Sequence, residues 1–446
     1  MSEMSMSADF KVHLPLAKLE SCAKCKSTKT LRLCSACNER TYCSPTCQKQ
    51  DWADHKTFCG KTDRLDLNIF YPLIGCLVEM GHLRKPQTHP ALRQSILNAP
   101  NPGSLPTRLP DGSAANLVHL GNRLAGPHQA GSAIWFSQAL DQNVRLKFMD
   151  RVKREGHVLP ILMATSLALL SEIYTTPTSN EKKSLRARLA YRSSPIADFG
   201  IASGAAKVTA PDRLAYRDKS TNPSFAGIRY GQDPNDHYWL YFTTIRGETV
   251  TLDCGMYTFN MCQMVSTKPY STHSMLPPEL PWVPAFFRER DMDRTTPDMY
   301  VERRRMSVLR NPALQTVVHI AGTATTYDEA QASIICSFME TLARRKISRE
   351  EREFVLSLTT QARNELKTVL NGRSWASWPK VPATTVEMDP DELMEDMMDD
   401  DAAWAEYLKG YKKNKKAGMD ETQLDQAYRV WSAEQKGRQP LWASVM

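Results

Sequence analysis

The sequence contains no Walker loop, no dinucleotide fingerprint and no HExxH motif, so none of the common signatures of nucleotide or zinc-protease chemistry is present. No internal repeat is visible. The N-terminus, Met1 to Phe10, is polar and acidic and does not read as a secretory signal. The apolar run Val158 to Leu170 contains Pro160 and falls short of the ~20 residues a membrane helix needs. No membrane partner is expected. Nor are the 57 basic residues, set against 49 acidic ones, gathered into a long block, so the net charge of +8 is a weak nucleic-acid signal and no nucleic-acid partner is expected. Disulfides are not expected either: seven of the 11 cysteines crowd into one short stretch, and none lies between Cys76 and Cys254. A soluble chain of the cytoplasm or nucleus fits this usage, and 446 residues with 41% hydrophobic content allow two or three compact domains.

The crowded stretch reads Cys22-x2-Cys25-x8-Cys34-x2-Cys37-x5-Cys43-x3-Cys47-x7-His55-x3-Cys59, eight ligands in four pairs. Eight is the number that two closed tetrahedral zinc sites require, and closed sites leave no open position for catalysis. Each CxxC can turn both sulfurs toward one ion. The members of the last two pairs stand four positions apart, which suits one helical face. Ser44 is a good N-cap and Pro45 suits the first helical position, so a helix is expected to start just after Cys43. A segment this small cannot bury enough apolar surface to fold alone, whereas a structural zinc supplies on the order of 10 kcal/mol. Zinc is therefore expected to fold it. From Ser21 to Gly60 seven basic residues face three acids, and this excess mostly offsets the seven thiolates.

With Tyr42 before Cys43 and the string Cys47-Gln48-x-x-Asp51-Trp52-x-x-His55-Lys56-x-x-Cys59, the stretch resembles the MYND zinc finger over about forty residues. The resemblance implies interleaved sites, with Cys22, Cys25, Cys43 and Cys47 on one zinc and Cys34, Cys37, His55 and Cys59 on the other. It implies a protein-interaction module that binds short proline-containing peptides, with Ser35, Gln48 and Trp52 at the groove-lining positions. Trp52 would be an aromatic platform for proline and Gln48 a hydrogen-bonding partner for backbone; Trp52 could equally cover the small zinc core.

Beyond the finger, Pro86 to Gly131 is rich in Pro, Gly and Asn and reads as irregular connection. Ile161 to Tyr174 is apolar all round and reads as a buried helix. Tyr238 to Ile245, a turn at Arg246-Gly247-Glu248, and Thr249 to Asp253 read as a β-hairpin. Capping boxes at Thr326 with Glu329 and at Ser348 with Glu351 announce two helices expected to pack as an antiparallel pair. Glu387 to Asp401 reads as an acidic linker before the basic Lys412 to Lys416, and Asp420 can cap a last helix through Leu424, Ala427, Tyr428 and Trp431. Arg303 to Arg305 and Lys412 to Lys416 fit nuclear import signals or, more simply, solvated surface.

Two features resemble parts of enzyme sites. Ile245 to Gly255 resembles a late motif of SET methyltransferases, yet the upstream Asn-His-x-Cys signature is missing; the nearest stretch is Asn222-Pro223-Ser224-Phe225. His237 and Asp253 could face each other across the hairpin as in papain-like or transglutaminase-like sites, but the required upstream cysteine is missing, and a surface His with a strand-end Asp is the simpler reading. Cys76, Cys254, Cys262 and Cys336 read as small buried hydrophobes. The region from His237 to Asn260 resembles uncharacterised MYND proteins of fungi.

The expected architecture is a small zinc-stabilised MYND finger followed by a mainly helical α+β domain containing a β-hairpin. Its parts are a flexible tail (1–20), the finger (21–60), a partly irregular connector (61–135), the α+β domain (136–380), and an acidic linker with C-terminal helices (381–446). The expected function is zinc binding in the service of protein recognition, as an adaptor or regulator, with a divergent SET-like lysine methyltransferase as the alternative.

Overall fold

The computed structural model describes residues 10–56, 59, 62–100, 105–126, 129–177, 186–218, 227–272, 274–289, 299–320, 326–387, 401–420, 423, 424 and 427. Met1–Glu387 forms one compact unit and Met388–Met446 a second.

Among the described residues there are eight α-helices: α1 Pro45–His55, α2 Leu67–Arg84, α3 Gln142–Arg154, α4 Val158–Tyr174, α5 Pro312–Ile320, α6 Glu329–Ala343, α7 Arg349–Gly372 and α8 Asp401–Lys416. Of the described residues 38% are helical and 25% lie in strands, so the α+β expectation holds but its mainly helical character is corrected to a mixture of helices and sheets. Many strands are short and pair with partners far away in the chain, so local sequence does not reveal them.

The main sheet has seven strands. In spatial order they are Phe286–Arg288, Thr249–Asp253, His237–Thr244, Ser194–Ala206, Arg186–Tyr191 and Thr62–Asp66, with Tyr300–Ser307 also pairing Ser194–Ala206. Neighbours are antiparallel except Thr62–Asp66, which runs parallel to Arg186–Tyr191. The hairpin His237–Thr244/Thr249–Asp253 forms as the alternation and the turn residues require. Gly200 marks a close approach: a Cβ there would stand 2.1 Å from the Met306 carbonyl oxygen across the ladder.

Helices α2 and α4 are buried over nearly their whole length and, with α7, join the sheet in one core that includes Phe70, Leu167, Phe199 and Leu358. The capping box of α7 forms as expected at Ser348 and Glu351. That of α6 uses Asp328 and Gln331 instead of Thr326 and Glu329; the Asp carboxylate accepts the Gln331 N–H at 2.8 Å. Helix α7 runs chiefly along α4 rather than against α6.

The stretch expected to be irregular holds the strands Gln94–Ile96, Thr107–Arg108 and Ala114–Arg123 of a five-stranded sheet, completed by Leu214–Asp218 and Ile228–Tyr230. Pro90, Pro106 and Pro110 fall outside these strands, so the prolines punctuate a sheet rather than prevent one. A second core of Trp135, Phe136, Phe148 and Val118 packs beneath it. Gln263–Ser266 joins Trp282–Pro284 and Thr384–Val386 in a third sheet.

In the second unit α8 carries Lys412 to Lys416, and Asp420 makes a reciprocal cap with Gln423. Tyr428, Trp431, most of the acidic stretch after Glu387, and Asn222-Pro223-Ser224-Phe225 lie outside the described residues. No single helix among the described residues is long and apolar enough to cross a membrane.

Candidate metal centre

Both CxxC pairs fold alike. Lys26 and Asn38, the residues after Cys25 and Cys37, take left-handed φ values of 63° and 58°, and their N–H groups return to the carbonyls of Cys22 and Cys34 at 3.0 and 2.8 Å. A short antiparallel ribbon, Arg32–Leu33 with Thr41–Tyr42, carries Cys34 at its turn end, where the Cys34 N–H donates to the Arg40 carbonyl at 2.8 Å, and Cys43 at its open end. Ser44 caps α1, its hydroxyl accepting the Cys47 N–H at 3.2 Å, and Pro45 opens the helix as expected. Cys43 sits just before the cap rather than on the helical face with Cys47; Ser44 in extended conformation forces this. His55 closes α1, and the Cys59 N–H continues the turn onto the His55 carbonyl at 3.0 Å.

These elements gather two clusters, Cys22/Cys25/Cys43/Cys47 and Cys34/Cys37/His55/Cys59, whose ligand atoms lie within 4.8 Å of one another in each. Cys25 and Cys43 sulfurs stand 3.4 Å apart, Cys43 and Cys47 3.6 Å, and Cys34 and Cys59 3.7 Å. Nε2 of His55 is 3.4 Å from the Cys34 sulfur and 3.5 Å from that of Cys37. Disulfides need about 2.05 Å. A tetrahedron with ~2.3 Å zinc–sulfur bonds has edges of about 3.8 Å, close to the separations seen. The residues present fit two zinc ions, interleaved along the chain as the resemblance implies.

Electrostatics point the same way. Burial first, and then the Arg40 cation, hold the His55 imidazole below its usual pKa, which keeps it neutral as a ligand must be. Burial opposes ionisation of Cys22, but backbone N–H groups of Cys25, Cys43 and Lys24 draw its thiol down to about 6. In the same cluster Cys43 is pushed up to about 12, first by the side chains of Cys25 and Cys47. Four thiolates cannot share this space without a cation; a zinc ion would supply the charge that ionises all of them.

The finger is latched to the sheet through its second knuckle. Arg64, on the strand Thr62–Asp66, donates from Nη2 to the carbonyls of Ser35 at 2.5 Å and Ala36 at 3.0 Å. The Asn38 amide, in the orientation that satisfies both its ends, accepts from Arg64 Nη1 at 2.9 Å. Glu39 meets Arg188 at 3.4 Å and Thr62 at 3.3 Å. Inside the finger, Asp51 is buried between the Tyr42 hydroxyl at 2.7 Å and Arg40 at 3.2 Å. Nothing in the spacing flags Arg64 or Arg188, because their roles depend on contacts distant in sequence.

This is a zinc-binding finger with two interleaved, closed sites. The family described as MYND finger matches residues 22–59. MYND fingers mediate protein–protein interactions, so the chain is a zinc-binding protein with an interaction module at its N-terminal end. No curated protein and no solved structure matches the chain, the family match ends at residue 59, and the resemblance of the region from His237 to Asn260 to fungal MYND proteins finds no support in these comparisons.

Trp52, on α1, is 47% exposed, and its ring meets that of His55 edge-on at 6.0 Å. Gln48, one turn earlier, donates from Nε2 toward the Cys34 sulfur at 3.7 Å, and Ser35 follows Cys34 on the exposed side of the knuckle. His237 and Asp253 do face each other across the hairpin, 2.6 Å apart, but both are buried, which corrects the expectation of a surface His. Cys76, Cys254 and Cys262 are buried as expected, and burial raises all three thiols, Cys262 to about 11. Cys336 is half-buried. The three arginines sit on the edge strand Tyr300–Ser307: Arg303 and Arg304 donate to the carbonyls of Asn235 and Thr341, and Arg305 pairs with Glu302 at 2.8 Å.

Sequence reasoning missed a set of buried ionisable groups. Arg154 pairs with Glu79 at 2.7 Å, both buried. Beside them a polar cleft of about 470 Å³ is lined by Lys85, His89, Glu155, His157 and Arg229 among others. Glu155 accepts from the Tyr216 hydroxyl at 2.7 Å and lies 3.3 Å from His89.

Proposed function

We propose that the finger recognises short proline-containing segments of partner proteins and that the chain acts as an adaptor or regulator. The observation that supports this most is the half-exposed Trp52 indole, held edge-on against His55, so that a rigid aromatic face is on offer at the surface. Gln48 lies one turn away and Ser35 beside Cys34, which lets the three line one path over the finger. Seven ligand thiols need a reducing compartment, so we place the protein in the cytoplasm or nucleus.

Calorimetric titration of the zinc-loaded full-length protein with proline-rich peptides tests this. Binding is expected, with affinity reduced about tenfold in Trp52→Ala at unchanged zinc content. Equal affinity of wild type and variant overturns the reading.

A further inference from the structure

On the strength of that reading, we infer that the partner segment is acidic as well as proline-containing, with carboxylates flanking the residue that covers Trp52. Lys49 and Lys56 stand three residues before and four after Trp52, within about 60° of it around α1. Both are exposed. At the Ser35 end stands Arg64, also exposed, whose guanidinium donates to the carbonyls of Ser35 and Ala36 and the side-chain oxygen of Asn38, all neutral acceptors. Among the described residues none of these three cations has a carboxylate partner.

The acids of the finger are committed elsewhere. Asp51 is buried against Tyr42 and Arg40, and Glu39 is held by Arg188 and Thr62. Asp54 stands about 200° round the helix from Trp52. The face therefore presents an aromatic plate bordered by uncompensated positive charge, and a ligand of opposite sign complements it.

A short peptide fits better than a polyanion. Seven basic residues against three acids, seven thiolates and two dications leave the loaded finger close to neutral, so its long-range field is weak and the charges act locally.

The test uses full-length zinc-loaded protein and synthetic peptides that share one proline-containing core, with flanks that are acidic, neutral or basic. The acidic-flanked peptide is expected to bind about three- to tenfold tighter than the neutral one, an advantage that shrinks as salt rises. The double variant Lys49→Glu/Lys56→Glu is expected to lose that advantage and prefer the basic-flanked peptide, while keeping two zinc ions. Equal affinity for acidic and neutral flanks overturns the inference and leaves the peptide-recognition reading standing. No binding of any peptide removes that reading, and the inference with it. Tighter binding of duplex oligonucleotide or of phosphatidylserine vesicles, abolished in the double variant, reassigns the patch to phosphates and overturns the inference.

Discussion

Nε2 of His237 and Oδ2 of Asp253 meet at 2.6 Å, each side chain 1% exposed, so the two strands of the hairpin are tied by a buried polar pair at the end away from the turn. Aromatic rings enclose the imidazole: Tyr300 lies parallel to it at 6.0 Å, and Phe259 and Trp239 stand at 5.8 and 5.9 Å. The other Asp253 oxygen accepts the Gly255 N–H at 2.8 Å. The neighbouring Cys254 is buried, and burial raises its thiol well above the ordinary range.

Removing one partner of such a pair leaves the other buried and unpaired. His237→Ala and Asp253→Ala are each expected to lower stability by about 3 kcal/mol in urea unfolding. A mutant cycle through the double variant should show strong coupling. Gly255→Ala should weaken the same corner, because its Cβ would stand 3.0 Å from His237 Cε1. Unchanged unfolding midpoints would show that the pair contributes nothing.

Zinc stoichiometry is the next expectation. Elemental analysis of the purified chain should give two zinc per molecule, and Cys25→Ser or Cys37→Ser should each reduce it to one. A chelator should empty the Cys22/Cys25/Cys43/Cys47 site first, since Cys25 is exposed there, whereas Cys34, Cys37 and His55 of the other site are buried. Release of both ions in a single step at one rate would contradict this order.

Because Arg64 links the second knuckle to the strand Thr62–Asp66, the knuckle and the edge of the sheet should report on each other. Arg64→Ala is expected to destabilise the docked finger by about 1–2 kcal/mol and to speed release of the ion held by Cys34, Cys37, His55 and Cys59. Hydrogen exchange should show faster exchange over Thr62–Asp66 when that site is emptied and little change when the other is. Uniform protection in both cases would mean that the latch carries no load.

What the sequence made legible follows from range. The eight ligands, the Ser44 cap and the hairpin from His237 to Asp253 are local patterns, each decided by residues close together in the chain. The main sheet was not legible because its longest strand, Ser194–Ala206, is rich in Ala, Gly and Ser and is defined by what pairs with it. Leu214–Asp218 finds its parallel partner about a hundred residues upstream, at Ala114–Arg123, inside a stretch whose prolines suggest irregular chain. The Arg64 latch, 29 residues from Ser35, leaves no trace in spacing either.

Lys85 gives a pH expectation. Its ammonium is buried at the end of α2, donating to the Glu155 carbonyl, and burial pulls its pKa from 10.5 down to about 8, with the Glu155 carboxylate opposing and Arg154 assisting. Below pH 8 both folded and unfolded chains hold the proton, and the full cost of burying the charge is present. Between about 8 and 10.5 the unfolded chain holds a proton that the folded chain has released, so the contribution of Lys85 to stability rises with pH. Lys85→Met lacks this term. The stability of wild type relative to the variant is therefore expected to climb by on the order of 2 kcal/mol between pH 8 and pH 10, read from urea unfolding at each pH. The difference cancels the thiols and tyrosines that titrate in the same window in both proteins. A flat difference across the window would mean that Lys85 keeps its ordinary pKa in the folded chain.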